Sequence, residues 1–199
     1  MRLTYVLPAL VPAVYLATIY GGLPEQVPIR YDLQGEIIAY GPKLVLCLFP
    51  LISLVLGFGM DRAARRVKSS EKARFLHLFS VVFIAGLMTY LIYEAARGGP
   101  AVPTVLQLAL GVFFIVTGNY LPTLPRNPWI GIRVPATLND ERVWRETHRF
   151  GGPVFLAAGL LTVLAVFVLP PSFALGTMIV IILLATIVTV GFAYTRPTR

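Results

Sequence analysis

Two short stretches of this chain hold the residue types that do chemistry. In the first, Trp144, Thr147, His148 and Gly151 recur at three-and-four spacing, which places them on one face of a helix. An imidazole beside a hydroxyl supplies either acid–base chemistry or a hydrogen-bonded anchor. Arg142, Arg145, Glu146 and Arg149 fill the other faces, and Arg133 lies just upstream. Guanidinium groups in such numbers suit carboxylates, phosphates and anionic lipid. In the second stretch, residues 21–43, Arg30, Asp32 and Lys43 offer charge to a ligand, unless the segment only satisfies its own backbone at a membrane surface. The one cysteine, Cys47, sits in an apolar run, and His77 and His148 lie far apart. With no acidic pair, nucleophile elbow or metal cluster, no catalytic residue, metal or cofactor is assigned.

The elements that position these residues follow from local sequence. Four prolines, Pro122, Pro125, Pro128 and Pro135, exclude a long helix over 121–135 and predict an extended, pinned segment holding Asn127, Trp129 and Arg133. Residues 137–149 predict a short amphipathic helix, with Thr137 and Asp140 in a capping-box-like start, acids early and basic residues late. Glu141 and Arg145 are paired four apart, and Gly151-Gly152-Pro153 predicts the stop. Both tryptophans, Trp129 and Trp144, fall here, where they anchor to headgroups or to a partner. On the other side, 27–31 and 36–40 predict two strands, closed by a turn with Asp32 first and Gly35 fourth, while Pro24 and Pro28 stiffen the approach. Asn119, beside Gly118, is placed to cap carbonyls or to bond the neighbouring loop. His77 predicts a hydrogen-bonded interfacial histidine, and 61–72 a solvated basic turn.

Composition says where all this sits. Of 199 residues, 57% are hydrophobic and 13% charged, with mean hydropathy +0.77. A soluble domain has about 45–50% apolar and about 25% charged residues, so a water-soluble globule and a disordered chain are both excluded. Six windows are long and apolar enough to cross a bilayer: 3–20, 43–60, 75–93, 102–119, 153–169 and 173–193. Pro8 and Pro12 should bend the first. None carries an acidic residue, which counts against a proton-driven transporter. Of the 17 Lys and Arg residues, all but Arg30, Lys43 and Arg97 fall in segments on one side, so both termini are expected in the cytoplasm. The net charge of +8 is thus a topology signal, not a sign of direct nucleic-acid binding. The expected fold is all-α: a polytopic six-transmembrane-helix bundle with an extracytoplasmic β-hairpin-like loop and a cytoplasmic loop containing a short amphipathic helix. Two units are expected, 1–60 with its outer loop 21–42, and 75–199 with its cytoplasmic loop 120–150.

The run Gly118-Asn119-Tyr120-Leu121-Pro122, then Asn127-Pro128-Trp129-Ile130-Gly131-Ile132-Arg133 through Thr137, then Val143-Trp144 to Thr147-His148 and Gly151, resembles the signature of the SdpI family of bacterial membrane proteins. The outer segment from Leu23-Pro24 through Pro28, Arg30, Tyr31 and Gly35 to Lys43 resembles the domain of unknown function that often precedes it. That pattern departs at Arg30, where the family usually carries histidine. The resemblance implies an inner-membrane immunity protein and receptor. It would bind a secreted antimicrobial peptide outside and recruit a transcriptional repressor inside, with membrane lipids around it. The alternative is a membrane enzyme or carrier acting on a lipid or amphipathic peptide through His148 and Arg133.

Overall fold

The computed structural model describes residues 4–66, 71–99 and 103–196. The charges at Arg2, Lys68 and Arg199 lie outside the described residues. The chain forms two compact units, Met1–Arg66 with His77–Pro103, and Val67–Leu76 with Thr104–Arg199.

In the first unit α1 (Val6–Ala9) and α2 (Val11–Ile19) replace a single helix. Pro8 and Pro12 each lack an N–H, and the chain breaks at Leu10 between them. The whole apolar stretch, Val6–Gly22, covers about 25 Å at 1.5 Å per residue, less than the ~30 Å hydrocarbon core. Among the described residues, five helices rather than six are therefore long and apolar enough to cross: Lys43–Arg62, Glu71–Arg97, Pro103–Thr123, Glu141–Val168 and Leu175–Tyr194. A hairpin follows α2, with β1 (Gln26–Tyr31) antiparallel to β2 (Ile37–Pro42) and an irregularity at Ile29. Pro28 is tolerated because a two-stranded ribbon leaves each strand an open edge. The hairpin base is anchored by Leu23 and Val27, buried with Leu16, Leu46, Ile92 and Ala95.

After a 3₁₀ stretch, Lys43–Cys47, come α3 (Leu48–Arg66) and α4 (Glu71–Arg97). Three sequence expectations change here. Residues 61–66 are helical, not a turn, and Asp61 is buried. Helix α4 continues past residue 93 and takes in Glu94, only 3% exposed, with its carboxylate paired to Arg97 at 2.8 Å. His77 is fully buried, touches Tyr5 edge-on, and neither ring nitrogen has a hydrogen-bond partner among the described residues.

The second unit holds α5 (Pro103–Tyr120), α6 (Pro135–Asn139), α7 (Glu141–Val168) and α8 (Ala174–Tyr194). Helix α7 corrects another expectation, because it runs unbroken through Gly151-Gly152-Pro153 into the membrane segment. The glycines are there for close approach, not termination. A Cβ on Gly152 would lie 2.5 Å from Pro122 Cγ, and one on Gly159 would lie 2.6 Å from the Gly111 carbonyl. Gly111 and Gly118 on α5 meet Gly159 and Gly152 on α7 in this way, letting the two backbones touch. Gln107 Nε2 crosses the same contact to the Thr162 carbonyl at 3.1 Å.

Candidate functional site

The site is built at the start of α7. Asp140, not Thr137, caps it: Asp140 Oδ1 accepts from the backbone N–H of Arg142 at 2.7 Å and of Val143 at 3.2 Å. The capped helix then presents Val143, Trp144, Thr147, His148 and Gly151 to the interior, as the spacing required. Trp144 is completely buried and its Nε1 donates to the Leu124 carbonyl at 2.9 Å. That bond ties the preceding loop to the helix.

His148 stacks on Trp144 with ring centroids 4.0 Å apart. The Ile132 N–H donates to Nε2 at 3.1 Å, so Nε2 must carry the lone pair. Its proton therefore sits on Nδ1, which donates to the Trp144 carbonyl at 2.8 Å. Both nitrogens of this neutral tautomer are committed, and no lone pair remains free to take a proton from a substrate. His148 holds the loop.

The loop can reach the ring because of Gly131. Its φ is +110°, and a Cβ there would run into His148 Nε2. Asn127 organises the turn before it. Its Oδ1 accepts from the N–H groups of Trp129 and Ile130, both at 2.9 Å, and its Nδ2 donates to the Pro125 carbonyl at 2.8 Å. Thr137 secures the far end, donating to the Ile132 carbonyl at 2.7 Å and accepting from the Val134 N–H at 3.1 Å. Arg133 Nη1 bonds the Pro128 carbonyl at 2.7 Å, and Arg126 Nη1 the Leu138 carbonyl at 2.9 Å.

Asn127, Arg133, Thr137, Trp144 and His148 are thus brought into one network. Thr147 is buried on the same face, its hydroxyl without a partner among the described residues. Trp129 is half-buried, and Arg133 and Arg149 are exposed on the outside of the module. Asn119 is exposed and does not join. On the helix surface Arg142 pairs with Glu146 at 2.8 Å and Arg145 with Glu141 at 3.4 Å. Sequence reasoning missed Gly131, Leu124 and the α5–α7 glycines. The seven-residue spacing shared by Gly111/Gly118 and Gly152/Gly159 was the available signal for the last.

The hairpin's candidates are used differently. Asp32 Oδ1 accepts from the N–H groups of Gln34 and Glu36, both at 2.9 Å, and Gly35 takes a positive φ of 91°. Pro28 is buried and Arg30 exposed. Lys43 Nζ lies 3.0 Å from Glu25 Oε1, 3.4 Å from the Leu23 carbonyl and 5.1 Å from the centre of the Tyr20 ring. Burial, then the nearby Glu94 carboxylate, pushes the Tyr31 phenol above its ordinary pKa. These residues serve the turn and the hairpin base and do not converge on one point.

A multi-span membrane protein with a side-chain-locked loop at the head of one long helix is the class so defined. Residues 123–195 match the SdpI/YfhL protein family and residues 7–54 match the domain of unknown function DUF1648. The chain is therefore a membrane protein carrying an SdpI/YfhL family region behind a DUF1648 segment, and the resemblance to the SdpI family holds. It is 29% identical to the immunity protein SdpI of Bacillus subtilis (strain 168), over 88% of this chain and 86% of that protein. No solved structure matches it.

Proposed function

We propose that this chain is an immunity protein and receptor of the bacterial cytoplasmic membrane. It meets an amphipathic antimicrobial peptide from outside and engages a cytoplasmic partner, a transcriptional repressor, within. The observation that carries this reading is the likeness to an immunity protein along almost the whole chain. In this reading the chain crosses six times, with the short Val6–Gly22 stretch accommodated by local thinning of the bilayer. The distribution of Lys and Arg supports cytoplasmic termini and an inner 120–150 loop.

Inside, Trp129, Arg133 and Arg149 form the contact surface for an acidic partner, with Asn127, Thr137, Trp144, Thr147 and His148 holding it in shape and Asn119 at its margin. Outside, the hairpin with Pro28, Arg30, Asp32, Gly35 and Lys43 faces the peptide. Helix α7 has 28 residues and is therefore about 42 Å long. It joins the inner surface to the bundle as one rigid rod, which supports a signal passing between them. The satisfied His148 ring favours this binding role over acid–base catalysis.

The test is expression in a peptide-sensitive bacterium, comparing the wild type with an Arg133→Glu/Arg149→Glu variant that still inserts. The wild type should raise survival under peptide challenge, and the variant should lose capture of the cytoplasmic partner. Equal survival with and without the wild-type protein defeats the immunity reading. Undiminished capture by the variant removes the inner surface from it.

A further inference from the structure

A groove between α2 and the start of α3 has no place in the reading above. It is a shallow, open groove of about 440 Å³, lined by Ala13, Leu16, Ala17, Tyr20, Cys47 and Pro50. Ala13 and Ala17, four apart on one helix face, leave the concavity. Apart from the Tyr20 hydroxyl and the Cys47 thiol, no side chain on its walls offers a hydrogen bond, so its occupant there is hydrocarbon. Its length from Ala13 to Tyr20 is about 10 Å at 1.5 Å per residue.

The Tyr20 end is polar in a particular way. Lys43 Nζ stands 5.1 Å from the Tyr20 ring centre and 3.0 Å from Glu25, with the Lys43 side chain 17% exposed and that of Glu25 86% exposed. A cation and an anion therefore lie side by side next to Tyr20, the wall residue at one end of the apolar slot. The two bonds Lys43 makes leave its ammonium a third donor.

We propose that this groove binds one phospholipid with a zwitterionic head carrying a primary ammonium, phosphatidylethanolamine in chemistry. One acyl chain fills the slot, the phosphate meets Lys43 and the ammonium meets Glu25. The charge pair selects this head. An anionic phosphatidylglycerol would meet the Glu25 carboxylate with no cation of its own, and a free phosphate would leave the slot empty. The proposal shares only Lys43 with the immunity reading and is tested apart from it, because it rests on the groove and the charge pair beside Tyr20.

Native mass spectrometry of the purified full chain, after exchange into nanodiscs of mixed phosphatidylethanolamine and phosphatidylglycerol, tests it. One phosphatidylethanolamine per chain should stay bound, favoured about fivefold, the scale of a single exposed ion pair. Ala17→Phe should abolish the adduct, and Glu25→Gln should keep a lipid but lose the preference. Equal retention of both lipids by the wild type, or an adduct that survives Ala17→Phe, overturns the site. So does a peptide or a second copy of the chain bound in its place. If Ala17→Phe fails to fold, alkylation of Cys47 by an apolar maleimide decides. It should be several-fold slower in phosphatidylethanolamine than in phosphatidylglycerol nanodiscs, and equal rates overturn the proposal.

Discussion

The loop ahead of α7 and the hairpin between α2 and α3 both leave the bundle and return to it, yet they are held by different groups. In the loop, side chains fix the backbone: Asn127 takes two N–H groups, His148 takes the N–H of Ile132, Thr137 takes that of Val134, and Trp144 reaches the Leu124 carbonyl. In the hairpin the two strands satisfy each other, and Asp32 alone adds side-chain bonds within the turn. A backbone held by ladder bonds accepts many residue types at its exposed positions. A backbone held by side chains depends on each of them, because a buried N–H left without its acceptor costs about 1–3 kcal/mol. The loop is thus a platform with its exposed arginines at set positions. The hairpin is a scaffold whose surface can vary.

Single substitutions measure how deep that difference runs, with unfolding of the detergent-solubilised protein as the readout. Trp144→Ala should be the most damaging, at about 3–5 kcal/mol, since it removes a fully buried indole together with its bond to Leu124. Tyr40→Ala, on the exposed face of the hairpin, should stay within about 0.5 kcal/mol, and similar losses at the two sites would erase the contrast.

Gly131→Ala should cost about 2–3 kcal/mol, because the left-handed backbone and the contact with His148 Nε2 both oppose a side chain. Limited proteolysis should then cut within 125–133, and a resistant loop would show that crowding is relieved elsewhere. His148→Phe should cost about 1–3 kcal/mol, for it keeps the stacking on Trp144 but strands the Ile132 N–H. Faster amide exchange at Ile132 is the specific signature. A smaller loss than in the loop is expected for Asp32→Ala, about 1 kcal/mol, with the strands still paired by amide-exchange protection. Loss of the whole hairpin would mean that its turn, not its ladder, holds it.

Much of this is legible in the amino-acid sequence. Hydrophobic windows located the five long helices, the three-and-four spacing put Trp144, Thr147, His148 and Gly151 on one buried face, and the Asp32–Gly35 pattern marked the hairpin turn. Those signals are local, carried by period and turn chemistry over a few residues. The errors came where local signals compete with packing. Gly151-Gly152-Pro153 reads as a helix stop. In the folded chain the glycines admit Pro122 and Thr189 to van der Waals contact, and the helix passes through.

Composition and periodicity by themselves determined that this protein is a membrane-embedded helical protein, because long unbroken apolar windows, unlike the alternating strands of a closed barrel, satisfy the backbone in hydrocarbon as helices. Only the tertiary structure decided what the buried polar groups do. His148 became a clamp because Ile132, sixteen residues earlier, delivers its N–H to the ring. His77, buried just as deeply, has no such partner among the described residues. The two histidines have the same chemistry, and their roles depend on which donor the fold brings within hydrogen-bonding distance.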